Sequence, residues 1–199
     1  MVTTLLPTTM TPEAYLAWEL EQETKHEYEH GEIIDMTGGR LVHNKIAIRL
    51  ILLIANHLRG QKDYLVLGSD AMVMTEAGVY YYPDVVVSND TIDRQADDFL
   101  QSPCLIAEVL SPSTEGRDRG IKMRKYLKID TLQEYLIIDP DYPRVECYRR
   151  SERSWQYINT AAEANELANF RENSPTIHLA SIDLKFPLSD LYESIEFLP

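Results

Sequence analysis

Three short apolar runs limit what this chain can fold into. Residues 79–88, 104–110 and 134–139 are dense in valine, isoleucine, leucine and tyrosine, and each is bounded by Gly, Pro, Asp or Gln-Glu. Runs this short with β-branched residues at consecutive positions read as strands covered on both faces. Ahead of them, Ile46, Leu50, Leu53, Ile54 and Leu58 recur at helical spacing across 42–59, and Gly60 ends the run. A second helix is predicted over 118–129, between the second and third runs. Strands interleaved with covering helices predict an α/β (α+β) fold, a mixed sheet flanked by helices.

The flanks are read the same way. Thr11, Pro12 and Glu13 supply a cap, a first-turn proline and an early acid for a helix from residue 12 to about 23, behind a flexible leader of residues 1–11. Gly31 precedes a strand-like segment at 32–36, and Gly38-Gly39 breaks it. Further strands are predicted at 64–67 and 71–75, then a polar, acidic connection at 89–102. A hairpin pairs 144–150 with 155–160. With no repeat and no linker-like tract, residues 12–199 are expected to form one domain.

The charge balance narrows the function. Nineteen Lys and Arg face 32 Asp and Glu, a net charge of −13, which argues against a protein that holds nucleic acid by general phosphate neutralisation. Any such contact must be local. Cys104 and Cys147 lie in apolar strands without zinc-ligand spacing, so they read as reduced core residues. The start lacks a basic leader, and the apolar run 50–55 is far below the ~20 residues that cross a bilayer. A cytoplasmic protein is expected.

Two acids sit where core residues should be. Asp84 follows Pro83 with apolar residues on both sides, and strand alternation places Glu108 on the same face as Ile106 and Leu110. A buried carboxylate is costly unless paired, protonated or bound to a cation. Two of them in neighbouring strands suggest a divalent site, and oxygen ligands favour Mg²⁺ or Mn²⁺ over Zn²⁺. The alternative is that Asp84 caps the turn after Pro83 and Glu108 pairs with a nearby arginine.

In order along the chain stand Gly31-Glu32-Ile33, Pro83-Asp84, Glu108-Val109-Leu110-Ser111-Pro112-Ser113-Thr114, then Asp118, Lys122, Tyr126 and Glu134-Tyr135-Leu136-Ile137-Ile138-Asp139-Pro140. This set resembles the PD-(D/E)XK nuclease superfamily, and within it the Uma-type family of restriction-endonuclease-like proteins. The resemblance implies a Mg²⁺- or Mn²⁺-dependent endonuclease acting on DNA, with Asp84 and Glu108 as catalytic metal ligands and the Val109 carbonyl as a further ligand. The chain departs from the superfamily signature at Leu110, where a lysine is expected. Lys122 is the candidate replacement, because Asp118, Lys122 and Tyr126 lie four residues apart along one helical face.

Secondary candidates are Glu32, beside the Gly31 motif, and His43, which opens the long helix. Ser111, Ser113 and Thr114 could contact phosphate or simply shape the turn at Pro112. Lys125 is the rival lysine. It belongs to a basic stretch with Arg117, Arg119, Lys122, Arg124 and Lys128 that could face phosphate or solvent. His26, His30, His57 and His178 show no ligand spacing. A homodimer is expected by default symmetry, with the hairpin or the 190–199 tail as its surface. The competing reading is a catalytically silent binding or assembly module on a nuclease fold.

Overall fold

The computed structural model describes residues 10–36, 38–163, 169–193 and 195–197. The expected leader therefore lies outside the described residues except at its end. There, Met10 N donates to Gly31 O at 3.3 Å and Thr11 Oγ1 accepts from Ala14 N at 3.3 Å, so these two residues are held. Helix α1 (Pro12–Glu19) is shorter than expected.

The architecture is mixed α+β. Strands β1 (His26–Glu29) and β2 (Glu32–Asp35) form a hairpin whose two-residue turn, His30 and Gly31, has positive φ at both positions, 47° and 107°. That is the geometry a primed turn requires, and glycine adopts it without steric cost. Helix α2 (Leu41–His57) follows, burying Ile46, Ala47, Leu50 and Ile54. Then come β3 (Leu65–Gly68), β4 (Val73–Glu76), β5 (Val79–Tyr81), β6 (Val85–Ser88), α3 (Thr91–Arg94) and β7 (Leu105–Val109). Among the described residues one sheet runs β2-β1-β5-β4. A larger sheet adds β8 (Glu134–Asp139), β9 (Arg144–Arg150) and β10 (Trp155–Ala161) in the order β10-β9-β8-β7-β6-β3. Only the β7–β8 pair in that sheet is parallel. Strands β11 (Thr176–Leu179) and β12 (Leu184–Pro187) form a hairpin, followed by α6 (Leu188–Leu191).

Two expectations change here. The predicted strand 79–88 is two strands in two sheets, because Pro83 cannot donate to a ladder and the chain steps from β5 to β6 across Tyr82-Pro83-Asp84. Asp84 thus stands at the seam between the sheets. The predicted helix 118–129 starts earlier and ends sooner: α4 (Glu115–Arg117) leads into a π-helical turn over Asp118–Lys122, then α5 (Met123–Tyr126). Such a turn inside a helix is a local insertion often found at functional sites.

Strand alternation sorts the core. Leu105, Ala107 and Val109 of β7 face α2 and the C-terminal elements, whereas Ile106 packs with Tyr81, Tyr126 and Tyr135 on the other side. Glu108 shares that second side, as its spacing predicts. Tyr15, Tyr28, Tyr80 and Tyr82 form a further cluster that pins α1 to the smaller sheet. Cys104 and Cys147 are buried and unpaired with each other. No helix among the described residues is long and apolar enough to cross a membrane.

Candidate active site

The seam between the sheets gathers charge that burial would normally exclude. Lys122 projects from the π turn. Its Nζ lies 2.7 Å from Glu27 Oε1 on β1, 2.8 Å from Glu108 Oε1 on β7 and 3.6 Å from Asp118 Oδ1. Glu27, Glu108, Asp118 and Lys122 are each 5% exposed or less. The ammonium also sits 5.4 Å from the Tyr81 ring centroid. Tyr126 donates its hydroxyl to Glu108 Oε1 at 3.0 Å. On the open side, Asp84 Oδ2 accepts from the main-chain N–H of Val109 at 2.8 Å and stands 3.1 Å from His43 Nε2. A cavity of about 510 Å³ opens over this group, with Ser111, Ser113, Thr114 and Arg117 along its wall.

Electrostatics follow from the burial. Desolvation pushes the Glu108 carboxyl well above the ordinary carboxylate range. Lys122 opposes that shift, and the charges of Asp118 and Asp84 add to it. Asp118 is also raised by burial, against the pull of Lys122. Burial disfavours the Lys122 ammonium, but Glu108, Glu27 and Asp118 outweigh this and hold it charged. His43 is penalised by burial too, yet its hydrogen bond to Asp84 and that carboxylate's charge raise its pKa. The site therefore gathers three carboxylates around one lysine with Asp84 beside them, and Arg117 partly offsets Glu27 at 3.3 Å. Asp118 Oδ1 is buried without a hydrogen-bond partner among the described residues.

This donor set suits a hard divalent cation. The oxygens are carboxylates and a main-chain carbonyl, and one buried carboxylate oxygen, Asp118 Oδ1, lacks a hydrogen-bond partner among the described residues. Among the described residues no three His, Cys, Asp or Glu side chains cluster tightly enough to enclose an ion. A cation here would rest on Asp84, Glu108, the Val109 carbonyl and water.

With that geometry in view, a family model, Uma2, described as "Putative restriction endonuclease", matches residues 12–180. The chain belongs to the Uma2 family. Among its relatives, uncharacterized protein slr1290 of Synechocystis sp. is 37% identical over 190 residues, 94% of each chain. Uncharacterized protein sll1609 of the same organism is 34% identical over 162 residues, 79% of this chain and 91% of its own. A crystal structure of "a putative nuclease belonging to DUF820" from Anabaena variabilis superposes with a TM-score of 0.73 at 19% identity. The match covers 92% of this chain and 98% of that one. At that identity the likeness concerns the fold.

In this Uma2 chain the structure brings Asp84, Glu108, Val109, Lys122, Asp118, Tyr126 and His43 to one place, and leaves two candidates outside it. Glu32 is exposed near the tip of the β1–β2 hairpin, opposite Glu29, and does not line the cavity. The rival Lys125 points to β4, where it pairs with Glu76, because it is one position off the inward face. Most of the basic stretch is held in ion pairs, with Arg124 exposed and unpaired among the described residues. Arg117 pairs with Glu27 and Glu29, Arg119 with Glu115 and Glu146, and Lys128 with Glu76. Ser111 and Thr114 shape the turn, with their hydroxyls 2.9 Å apart and Thr114 N donating to Ser111 Oγ at 3.3 Å, while both also line the cavity. Glu27 is the residue that sequence reasoning missed. Nothing local in His26-Glu27-Tyr28-Glu29 marks Glu27 as a site residue, because Arg117 and Lys122, which pair with it, come from far along the chain.

Proposed function

We propose that this Uma2 protein is a divalent-metal-dependent endonuclease that hydrolyses phosphodiester bonds of DNA. Mg²⁺ or Mn²⁺ would be held by Asp84, Glu108 and the Val109 carbonyl. The observation that carries the reading is the enclosure of Glu27, Glu108 and Asp118 around Lys122 beside Asp84, an excess of negative charge on the wall of an open cavity. When bound, such a cation polarises the scissile phosphate and lowers the pKa of its water.

The chain's own residues do the rest. Val109 N–H orients Asp84 through Oδ2. Tyr126 keeps its proton on the hydroxyl, raised by burial, and presents it to Glu108 Oε1. Lys122 is held in the charged state, so it does not act as a proton acceptor. It fixes Glu108 and Glu27 and offers positive charge as the phosphorane develops. His43, 18% exposed at its side chain, holds a proton at Nε2 against Asp84 on the cavity side and is the group best placed to orient water.

Asp84→Asn and Glu108→Gln should each abolish cleavage of plasmid and single-stranded DNA and weaken Mn²⁺ binding, followed by water relaxation. Unchanged Mn²⁺ affinity in both variants would reject the ligand assignment. A second reading, a silent binding module, is favoured by the engagement of the Lys122 ammonium with carboxylates. It moves ahead if the wild type cuts neither substrate with either metal. We infer as well one domain over 12–199, a cytoplasmic setting and a homodimer.

A further inference from the structure

The two glycines between β2 and α2 are not equivalent. Neither Gly38 nor Gly39 has its backbone in the left-handed region, so conformation does not demand a glycine at either position. Space does. A methyl group on Gly38 would meet nothing within 4 Å. On Gly39 it would stand 2.8 Å from His43 Nδ1, 3.0 Å from Cγ and 3.2 Å from Cε1. Arg40, the residue that precedes α2, is extended at φ −64° and ψ 158°, and this brings Gly39 across the first helical turn onto the imidazole. Gly39 and His43 both border the cavity.

The imidazole is thereby held on two sides. Its Nδ1 edge rests on Gly39, and Nε2 stands 3.1 Å from Asp84 Oδ2. Because Cγ is among the atoms in contact, a ring pushed off Gly39 has to turn about χ1, which carries Nε2 away from the carboxylate. The Val109 N–H donates to the same Asp84 oxygen at 2.8 Å. Two contacts on Oδ2 use both of its lone pairs and leave Oδ1 as the oxygen offered to a cation. With the imidazole gone, Val109 holds the carboxylate alone, and the soft χ2 torsion of an aspartate lets it turn.

We propose that Gly39 is a positioning residue for Asp84, acting through His43. The side chain that Gly39 lacks leaves the room in which the imidazole locks the carboxylate, with Oδ1 kept for the metal. The assignment rests on the reading of Asp84 as a metal ligand. Groups that orient a ligand without touching the metal change its affinity by roughly ten- to hundred-fold when they are lost.

The test begins with metal-free, ¹⁵N-labelled protein. The imidazole signals of the five histidines are recorded, that of His43 being assigned by its loss in His43→Ala, and the Val109 amide reports on the Asp84 oxygen that it meets. Gly39→Ala should move the His43 and Val109 signals, whereas Gly38→Ala should leave both in place. Mn²⁺ affinity, read by water relaxation, should fall about tenfold in Gly39→Ala and in His43→Ala and hold in Gly38→Ala. Adding Gly39→Ala to His43→Ala should cost nothing more, since the methyl group then has no ring to displace. Unmoved signals in Gly39→Ala, equal losses of affinity in Gly38→Ala and Gly39→Ala, or a second loss in the double variant would each overturn the assignment. If Gly39→Ala alone moves both signals in a protein that binds no Mn²⁺, the positioning of Asp84 stands and the metal reading of the cavity falls instead.

Discussion

Lys122 shows how a single residue can be structural and functional at once. Its ammonium separates Glu27, Glu108 and Asp118, all of them buried, so removing it leaves buried carboxylates facing one another. Lys122→Met should therefore lower stability by about 3–5 kcal/mol, the usual cost of breaking a buried pair from one side. Glu108→Gln strands the opposite charge less severely, because Glu27 and Asp118 remain. The double variant should recover part of the loss, and thermal or urea unfolding of the four proteins checks this. Simple additivity of the two losses would show that the pair is not coupled. For cleavage, Lys122→Ala should cost roughly 10²–10³-fold, about 2.7–4 kcal/mol of barrier. Lys125→Ala, which removes one of the partners of Glu76 and touches nothing in the cavity, should cut at the wild-type rate.

At the scale of elements, the helix from Glu115 to Tyr126 is attached to the sheet by ion pairs as much as by apolar contact. Arg119 forks onto Glu146 of β9 at 2.9 and 2.7 Å. The hydrogen bond and charge of Arg119 hold the Glu146 carboxyl below its ordinary value of 4.5. A depressed folded-state pKa means that this stabilisation is fully present above 4.5 and is lost as pH falls through the lower folded value. The melting-temperature gap between wild type and Glu146→Gln should thus be full at neutral pH and close through the acid range. A gap that stays constant on acidification would show that the pair does not act through the carboxylate's charge. β8 has a comparable anchor. Glu134, fully buried, accepts from Arg149 Nε at 2.8 Å, Ala180 N at 3.0 Å, Ser181 N at 2.9 Å and Ser181 Oγ at 2.7 Å, which ties the β11–β12 turn to the large sheet.

For the whole molecule, the seam matters more than either sheet. The smaller sheet brings Glu27, the larger brings Glu108, and the link between them brings Asp84, so the centre exists only while both sheets are docked. Limited proteolysis should release no fragment that folds alone, and two stable halves would contradict a single domain. Of the tail expected to offer a dimer surface, Leu191 and Tyr192 among the described residues are buried, and Phe197 lies 5.3 Å from Tyr192 by ring centroids. Apolar side chains remain exposed on α2, where Leu41, Ile48 and Leu52 are 81%, 52% and 48% exposed. Sedimentation at micromolar concentration should therefore show twice the 22.9 kDa chain mass, and Ile48→Glu should return it to the monomer. A wild type that sediments as a monomer would dismiss pairing.

How much of this was legible in the chain itself divides along one physical line. Local patterns reported what local forces decide. The periodicities of β7, β8 and α2, the inward face of Glu108, and the shared face of Asp118, Lys122 and Tyr126 follow from side-chain spacing along one element. The misplaced features are those decided by distant partners. Residues 79–88 read as one strand because nothing nearby says that Pro83 hands the chain to another sheet. Lys125 and Glu32 read as site residues because their distance from the seam depends on register and helix rotation. Glu27 was not singled out because its burial is imposed by Arg117 and Lys122, some ninety residues away. The sequence by itself determined the α+β class, the acids that interrupt its apolar strands and the lysine that answers them. Only the tertiary structure decided which charges meet, because the desolvation that makes a carboxylate seek a cation comes from residues brought together by folding.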